Sequence, residues 1–394
     1  MPGALDGVKI IDMSAVIAGP MATQILGDQG AEVIKIENPG LGDMARYLGP
    51  QSNGIGAMFA AANRNKRSIA LNLKNAQGKG VFLDLVKTAD VVVENYRPGA
   101  MARMGLTYEA LSALNPGLIY VEMSGFGQDG PYSKRRVYDP VIQAVSGIAD
   151  SQADPKTGEP RLIQSIVADK VAALTVAQAI TAALYSKART GVGQCLEFNM
   201  LMAAIAFQWP DTMYNHVFLA EGMIQVPDFA KFYDIMRTLD GFVTVIVISD
   251  DEFGDFARAA GKPELAKDPR FANVFLRLQN AEDLKAEMKA LMATFRTDEI
   301  VKRLEAEDVP HARILKREDV LTDPQVRFID AITKSTHPKA GAMQEPRPVA
   351  KFSATPASIR RPAPSLGEHT DEILRELGKT ALDIDALRKS GAVA

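Results

Sequence analysis

Cysteine is nearly missing from this chain: Cys195 stands alone among 394 residues. No intrachain disulfide can form, so the core must hold the fold, as suits a reducing compartment. Histidine is scarce as well. His216, His311, His337 and His369 lie far apart, with no H-E-x-x-H and no paired cysteines, which argues against a metal site. No G-x-x-x-x-G-K-[S/T] occurs, so a P-loop is excluded, and a G-x-S-x-G nucleophile elbow is missing too. Neither sign of charge is in excess. A formal net charge of −3 speaks against a nucleic-acid-binding surface spread over the chain. Long apolar runs are also lacking. The most apolar stretch, "VAALTVAQAITAALY" (171–185), is interrupted by Thr175, Gln178 and Thr181. It reads as a core helix, too short and too polar for a membrane span. The N-terminal "MPGALDGVKIIDMS" has acidic residues where a secretory leader carries basic ones. A soluble, cytoplasmic protein with neither membrane nor nucleic acid as partner is expected.

What is present is a strand–helix alternation in the first 125 residues. "VKIIDM" (8–13), "AEVIKIE" (31–37), "RSIALNL" (67–73), "DVVVENY" (90–96) and "LIYVEMS" (118–124) read as strands. Between them, a helix starts at Gly19-Pro20, another covers "GKGVFLDLVKTA", and Thr107 caps a third. Near-continuous Val and Ile in such strands predict a parallel sheet covered on both faces. The length and the change of pattern divide the chain into a large domain (1–215), a smaller α/β domain (216–325) and a linker with C-terminal helix (326–394).

"SGFGQDGPYSKRRVYDP" (124–140) contains a literal G-x-G-x-x-G directly after a strand. A dinucleotide fingerprint needs its third glycine inside a helix that starts at the turn. Here Pro131 follows Gly130 at once, and nothing in the next five residues has helical apolar periodicity. The dehydrogenase reading fails, and the glycines are expected to build a loop.

Two sets of residues carry chemistry. Lys66, Arg67, Lys74, Arg97, Arg103 and Lys134-Arg135-Arg136 fall near strand ends, where open α/β sheets bind ligands. Each alone reads first as a solvated surface charge; several together raise the prospect of a phosphate-bearing ligand. Asp169, in "SIVADKVAALTVAQAI", reads first as the N-cap of a long apolar helix. A carboxylate at a helix N-terminus is also held ionised, as a nucleophilic aspartate must be.

These segments, with "LDGVKIIDMSAVIAGPMATQILGDQGAEVIKIENPGLGDMAR", "NRNKRSIALNLK", "ADVVVENYRPGAMARMGL" and "APSLGEHTDEILRELG", resemble the class III coenzyme A transferases. That group takes in formyl-CoA and carnitine CoA-transferases and the related α-methylacyl-CoA racemases. The resemblance covers nearly the whole chain. It implies a Rossmann-like large domain joined to a smaller α/β domain, with the C-terminus returning to the large one and two such chains threaded as an interlocked homodimer. It places the nucleophile on Asp169 and CoA contacts on Val16, Ala18, Leu71, Asn72, Lys74, Asn95, Tyr96, Arg97, Arg103, Arg136, Tyr138 and Asp139. Where formyl-CoA transferase has an arginine after "KIE", this chain has Asn38, so that contact is not carried over.

The racemases place a histidine, as second base, where this chain has Tyr138. A phenol titrating near ~10 is a poor base at neutral pH, so a transferase is expected rather than a racemase. The implied reaction moves CoA from an acyl-CoA to a free carboxylic acid through an aspartyl mixed anhydride and an aspartyl-CoA thioester. CoA is then a substrate, and no cofactor is permanently bound. A non-enzymatic CoA-binding protein is the alternative from another class. Phe207, Trp209, Met213 and Tyr214 suit a core or an interface as well as an acyl pocket. The stretch "DFAKFYDIMRTLDGFVTV" has no glycine-rich run like the lid of formyl-CoA transferase, which lowers the case for oxalate and formyl-CoA.

Overall fold

The computed structural model describes residues 1–154, 156–226 and 233–394, so part of the glycine-poor stretch (228–232) lies outside the described residues. Among the described residues the chain forms two compact units, Met1–Gln208 with Ile329–Ala394, and Trp209–Phe328.

The larger unit is built on six parallel strands: β1 Lys9–Asp12, β2 Glu32–Glu37, β3 Lys66–Ala70, β4 Val91–Glu94, β5 Ile119–Ser124 and β6 Cys195–Asn199. Their order is β3-β2-β1-β4-β5-β6. The helices that position the site are α1 Ala18–Asp28, α2 Ala76–Val86, α3 Tyr108–Leu114, α4 Asp139–Ser146, α5 Val167–Thr190 and α6 Met200–Gln208. Two more, α7 Thr370–Glu376 and α8 Ala381–Lys389, come from the C-terminal segment.

Alternation along the strands explains the two layers. Ile10, Val33, Val91, Val93, Ile119 and Val121 face α1 and α5, where Ala22, Leu26, Ala172, Ala173, Val176 and Ile180 complete a core. Ile11, Ile34, Ile36, Val92 and Tyr120 face the other way, onto Val81, Phe82 and Leu85 of α2 and Ile373, Leu374, Ile384 and Leu387 of the C-terminal helices. The small side chains on α1 and α5 let these helices pack closely.

Three sequence expectations need correction. The apolar segment is longer than it reads, because α5 runs for 24 residues and is long and apolar enough to cross a bilayer. Its inner face instead packs in the core described above. The sixth strand, "CLEFN", was not expected as a strand. It is a half-buried edge whose alternation is too short to stand out. Ile332–His337 and Gly341–Pro346 form an antiparallel hairpin inside what reads as linker.

The "NRNKR" run accounts for the return of the C-terminal segment. Arg64 pairs with Asp28 (2.7 Å) and Glu345 (3.3 Å). Asn65 Oδ1 accepts the backbone N–H groups of Arg360 (2.6 Å) and Arg361 (3.1 Å). A bridge between Leu71 and Val393 sets the last residues against the end of β3.

The smaller unit has an antiparallel sheet of Met236–Arg237, Phe242–Val245 and His311–Arg313. Helices Asp250–Ala259, Ala281–Met292 and Thr297–Ala306 pack on it through Phe253, Phe256, Met292, Ile300 and Leu304.

Candidate active site

The strand order reverses direction between β1 and β4, the place where open parallel sheets leave a crevice at their carboxyl ends. The chain leaving β1 there makes a tight turn, Ser14–Ile17, before α1. Val16 has φ +71°, a left-handed conformation that a β-branched residue rarely adopts. Buried side chains hold the turn. Asp12 Oδ1 accepts the Ser14 N–H (2.9 Å), Lys35 Nζ donates to Ser14 O (2.8 Å) and Asp43 Oδ1 accepts the Val16 N–H (3.0 Å). Asn95 clasps Ala15 twice, accepting its N–H and donating to its carbonyl, both at 2.9 Å. Gly19 is required here, because a Cβ would fall 2.2 Å from Ser14 Oγ.

Under the turn lies a charge cluster without solvent contact. Lys66 Nζ bonds Asp12 Oδ2 (2.7 Å), Pro20 O (2.8 Å) and Asn63 Oδ1 (2.9 Å), and Lys35 Nζ reaches Asp43 Oδ2 (2.9 Å). Burial alone would raise Asp12, but Lys66 and Lys35 hold it below the usual carboxylate range. Burial brings Lys66 down to about 8 against the pull of Asp12. These pairings correct the expectation that Lys66 and Arg67 are ligand cations. Both sit at the start of β3, and Arg67 is spent on Glu32, Glu372 and Glu376.

Asp169 is not the N-cap of its helix. α5 begins at Val167, after Ile166, and Asp169 is its third residue. The acceptor that satisfies the Asp169 N–H is Asp139 Oδ2, 3.1 Å away. The Asp169 carboxylate instead faces the Ala18 N–H, at the start of α1, which favours its charged form. Two helix N-termini thus converge on one carboxylate, both favouring negative charge. Burial nevertheless pushes Asp169 up, the neighbouring Asp139 carboxylate adds to this, and the result is about 6. It is ionised at neutral pH and weakly stabilised in that state, which makes it a better nucleophile than an ordinary salt-bridged aspartate.

Asp169 opens on a cavity of about 340 Å³ walled by residues from the ends of β1, β4 and β5 and by the glycine loop. Val16, Ala18, Asn95, Tyr96, Arg97, Arg136 and Tyr138 line it too. A second cavity, of about 460 Å³, lies at the ends of β2 and β3 and holds Leu71, Asn72, Lys74, Tyr96 and Arg103. Tyr96 lines both, so the two cavities are neighbours. Every residue of the expected site except Asp139 lines one or the other. Asp139 is buried behind the cavity of Asp169, holding the start of α5. Asn95 and Asn72 also serve the fold, Asn95 through Ala15 and Asn72 through the Ala392 and Gly391 carbonyls.

No ion pair engages Lys74, Arg97, Arg103 or Arg136 among the described residues. The apolar wall is Met123, Phe126, Val137 and Met200 rather than Phe207; Trp209, Met213 and Tyr214 belong to the other unit. After Gly130 the chain turns through Pro131–Lys134, and no helix starts before Asp139, so the third glycine lies outside any helix. A Cβ on Gly125 would fall 2.2 Å from Val137, which shows how tightly the loop folds back. Among the described residues no group of three or more His, Cys, Asp or Glu side chains could hold a metal ion.

Sequence reasoning passed over three supporting residues. Gln143 accepts the Ile163 N–H (2.9 Å) and donates to Ser165 O (3.2 Å), fixing the approach to α5. Asp43 holds Val16. Glu94 accepts the Tyr96 N–H (2.7 Å) and sits against the Tyr120 hydroxyl. Burial, with Glu122 nearby, pushes Glu94 up to about 8, so it is mostly protonated at neutral pH. Asp43 and Glu94 lie inside segments that carry the resemblance, but no local pattern there shows which backbone groups they hold, and Gln143 lies outside those segments.

A family profile described as CoA-transferase family III matches residues 5–370. The chain is 34% identical to the human succinyl-CoA:glutarate CoA-transferase over 386 residues, covering 95% of this chain and 86% of that protein. It is 34% identical to succinyl-CoA–D-citramalate CoA-transferase of Chloroflexus aurantiacus, covering 98% of this chain and 97% of that protein. A crystal structure of a CAIB/BAIF family protein from Brucella suis superposes with a TM-score of 0.83 at 33% identity, over 96% of this chain and 100% of that one.

Proposed function

The chain belongs to CoA-transferase family III and is an enzyme of that class, and from that premise we propose that it moves CoA from a dicarboxylic acyl-CoA to a free dicarboxylic acid, with Asp169 as covalent nucleophile. The observation that carries this reading is the Asp169 carboxylate, facing the Ala18 N–H in a cavity that also presents unpaired cations. The acids follow from the relatives, which act on succinyl-CoA with glutarate or D-citramalate.

The steps balance without ATP or redox chemistry. An Asp169 oxygen adds to the thioester carbonyl, the C–S bond breaks, and CoA leaves as thiolate with a mixed anhydride in place. The thiolate then attacks the aspartyl carbonyl of the anhydride, forming aspartyl-CoA thioester and freeing the donor acid. An acceptor carboxylate attacks that thioester, giving a new anhydride and thiolate. Attack of the thiolate on the acyl carbonyl of this anhydride releases the product thioester and restores Asp169. Each step exchanges one activated acyl bond for another.

Lys74 and Arg103 in the outer cavity, and Arg97 and Arg136 in the inner one, suit the phosphates of CoA. Val16, Ala18, Leu71, Asn72, Asn95, Tyr96 and Tyr138 supply the remaining wall of the CoA groove in this reading, and Asp139 positions Asp169 from behind. The assembly we propose is an interlocked homodimer. It is supported by apolar side chains left in solvent on α5 and α6, among them Leu174 (58% exposed), Tyr185 (66%), Met202 (65%) and Phe207 (57%). The test is incubation with succinyl-CoA and glutarate, read by mass spectrometry. Glutaryl-CoA and free succinate should appear together. A panel of acyl-CoA donors and acids giving no exchange would overturn the reading.

A further inference from the structure

The glycine loop carries one guanidinium that the CoA contacts leave over. Arg135 lines the cavity that holds Asp169. Its guanidinium carbon lies 3.7 Å from the centroid of the Tyr132 ring. Tyr132 in turn meets Phe126 edge to face, with centroids 5.5 Å apart. The Arg135 N–H donates to Tyr132 O at 2.9 Å, which closes the turn beneath the stack. Stacking occupies only the face of a guanidinium and leaves its in-plane N–H donors available. Among the described residues no carboxylate pairs with them.

Resting on the transferase reading, we propose that Arg135 receives the distal carboxylate of a dicarboxylic acyl group, and so selects diacids over monoacids. The chemistry favours this assignment. A second carboxylate entering beside Asp169 and the apolar Met123, Phe126 and Met200 needs a cation, because an unpaired charge there is expensive to desolvate. Arg97 and Arg136 are assigned to CoA itself. Arg135 has its plane fixed by the Phe126–Tyr132 stack before any ligand arrives, which suits bidentate recognition and lowers the ordering cost of binding.

The experiment compares wild type with Arg135→Gln and Arg135→Lys, using glutarate and pentanoate as acceptors of equal length and calorimetry with free CoA. Wild type should favour glutarate. In Arg135→Gln the ratio of kcat/KM for glutarate over pentanoate should fall roughly 10- to 100-fold, through KM for the diacid rather than kcat. Arg135→Lys keeps the charge but not the fork, and should recover part of that ratio. The CoA dissociation constant should stay within about twofold, given that the contact is to the acid. Equal losses with both acids, or a weakened CoA affinity, would place Arg135 on CoA and overturn the proposal. So would an unchanged ratio. Wild-type exchange without preference for the diacid removes this inference and leaves the transferase standing. Absence of exchange with any acid removes both.

Discussion

Replacing Asp169 by asparagine should stabilise the protein while abolishing turnover. The side chain keeps an oxygen that can accept the Ala18 N–H, and the helix loses no cap, since Asp139 is the group that satisfies the Asp169 N–H. What disappears is a charge held where burial and Asp139 oppose it. The displacement from 3.8 to about 6 corresponds to a ceiling of about 3 kcal/mol. Partial solvent contact at Asp169 brings the expectation to about 1–2 kcal/mol. The sign follows from linkage. A carboxyl whose folded pKa is raised favours the folded state fully below 3.8, and that contribution is lost as pH rises through about 6. The variant escapes the loss, so its advantage should be full at pH 8, shrink to roughly half at pH 5 and vanish below the unfolded value. Urea unfolding of both proteins across that range, alongside glutaryl-CoA formation, measures the two effects separately. A variant less stable than wild type at every pH would refute the electrostatic reasoning. Turnover by a folded variant would refute the nucleophile.

Asp139→Asn removes the like charge beside Asp169, so the acid limb of the kcat/KM profile should move to lower pH; an unmoved limb would show that Asp139 does not bear on the nucleophile. Lys66→Met strands Asp12 in the interior, and should cost about 3–5 kcal/mol in chemical unfolding; a loss below about 1 would mean the cluster relaxes or hydrates. A transferase need never touch the α-proton, so a chiral 2-methylacyl-CoA in heavy water should stay undeuterated; rapid exchange by pure enzyme would restore the racemase reading. A threaded dimer should survive dilution to nanomolar concentration in sedimentation, because separation requires unfolding; a folded monomer there would contradict the threading.

Five of the six sheet strands were legible because each carries apolar residues in a short run between turn signals, as in "DVVVENY" and "LIYVEMS". The sixth, Cys195–Asn199, is a half-buried edge, and its short alternation resembles many loop segments. The groove residues were placed by motif resemblance, while their geometry depends on partners far off in sequence. Asn95 reads as a ligand contact, yet its amide also pins Ala15, 80 positions earlier. Lys66 and Arg67 read as cations near a strand end; they lie at the wrong end, and only the tertiary pairing with Asp12, Glu32, Glu372 and Glu376 shows them occupied. Asp169 reads as the N-cap of α5 and lies instead in its first turn; which carboxylate satisfies the Asp169 N–H and which one faces the cavity is decided by α4 crossing near α5. No local pattern encodes that exchange of roles.

The turn and the buried charges belong to one physical argument. A Val in the left-handed region costs on the order of 1–3 kcal/mol, and a buried ion cluster contributes little net stability against its desolvation. A chain selected for stability alone would place glycine at Val16 and apolar residues at Asp12, Lys35 and Lys66. Their joint effect is geometric: Asp12, Lys35, Asp43 and Asn95 each hold a different backbone group of Ser14–Val16. That fixes where α1 begins, and so where the Ala18 N–H meets the Asp169 carboxylate. In the proposed reaction Asp169 passes through an anhydride, a thioester and a second anhydride before it is freed, and it benefits from a support that does not move as its charge comes and goes. Buried, fully paired charges give such rigidity, because any rearrangement would expose one of them unpaired. The strain at Val16 and the raised Asp169 are then two parts of the same arrangement, one setting the position of the carboxylate and the other its reactivity.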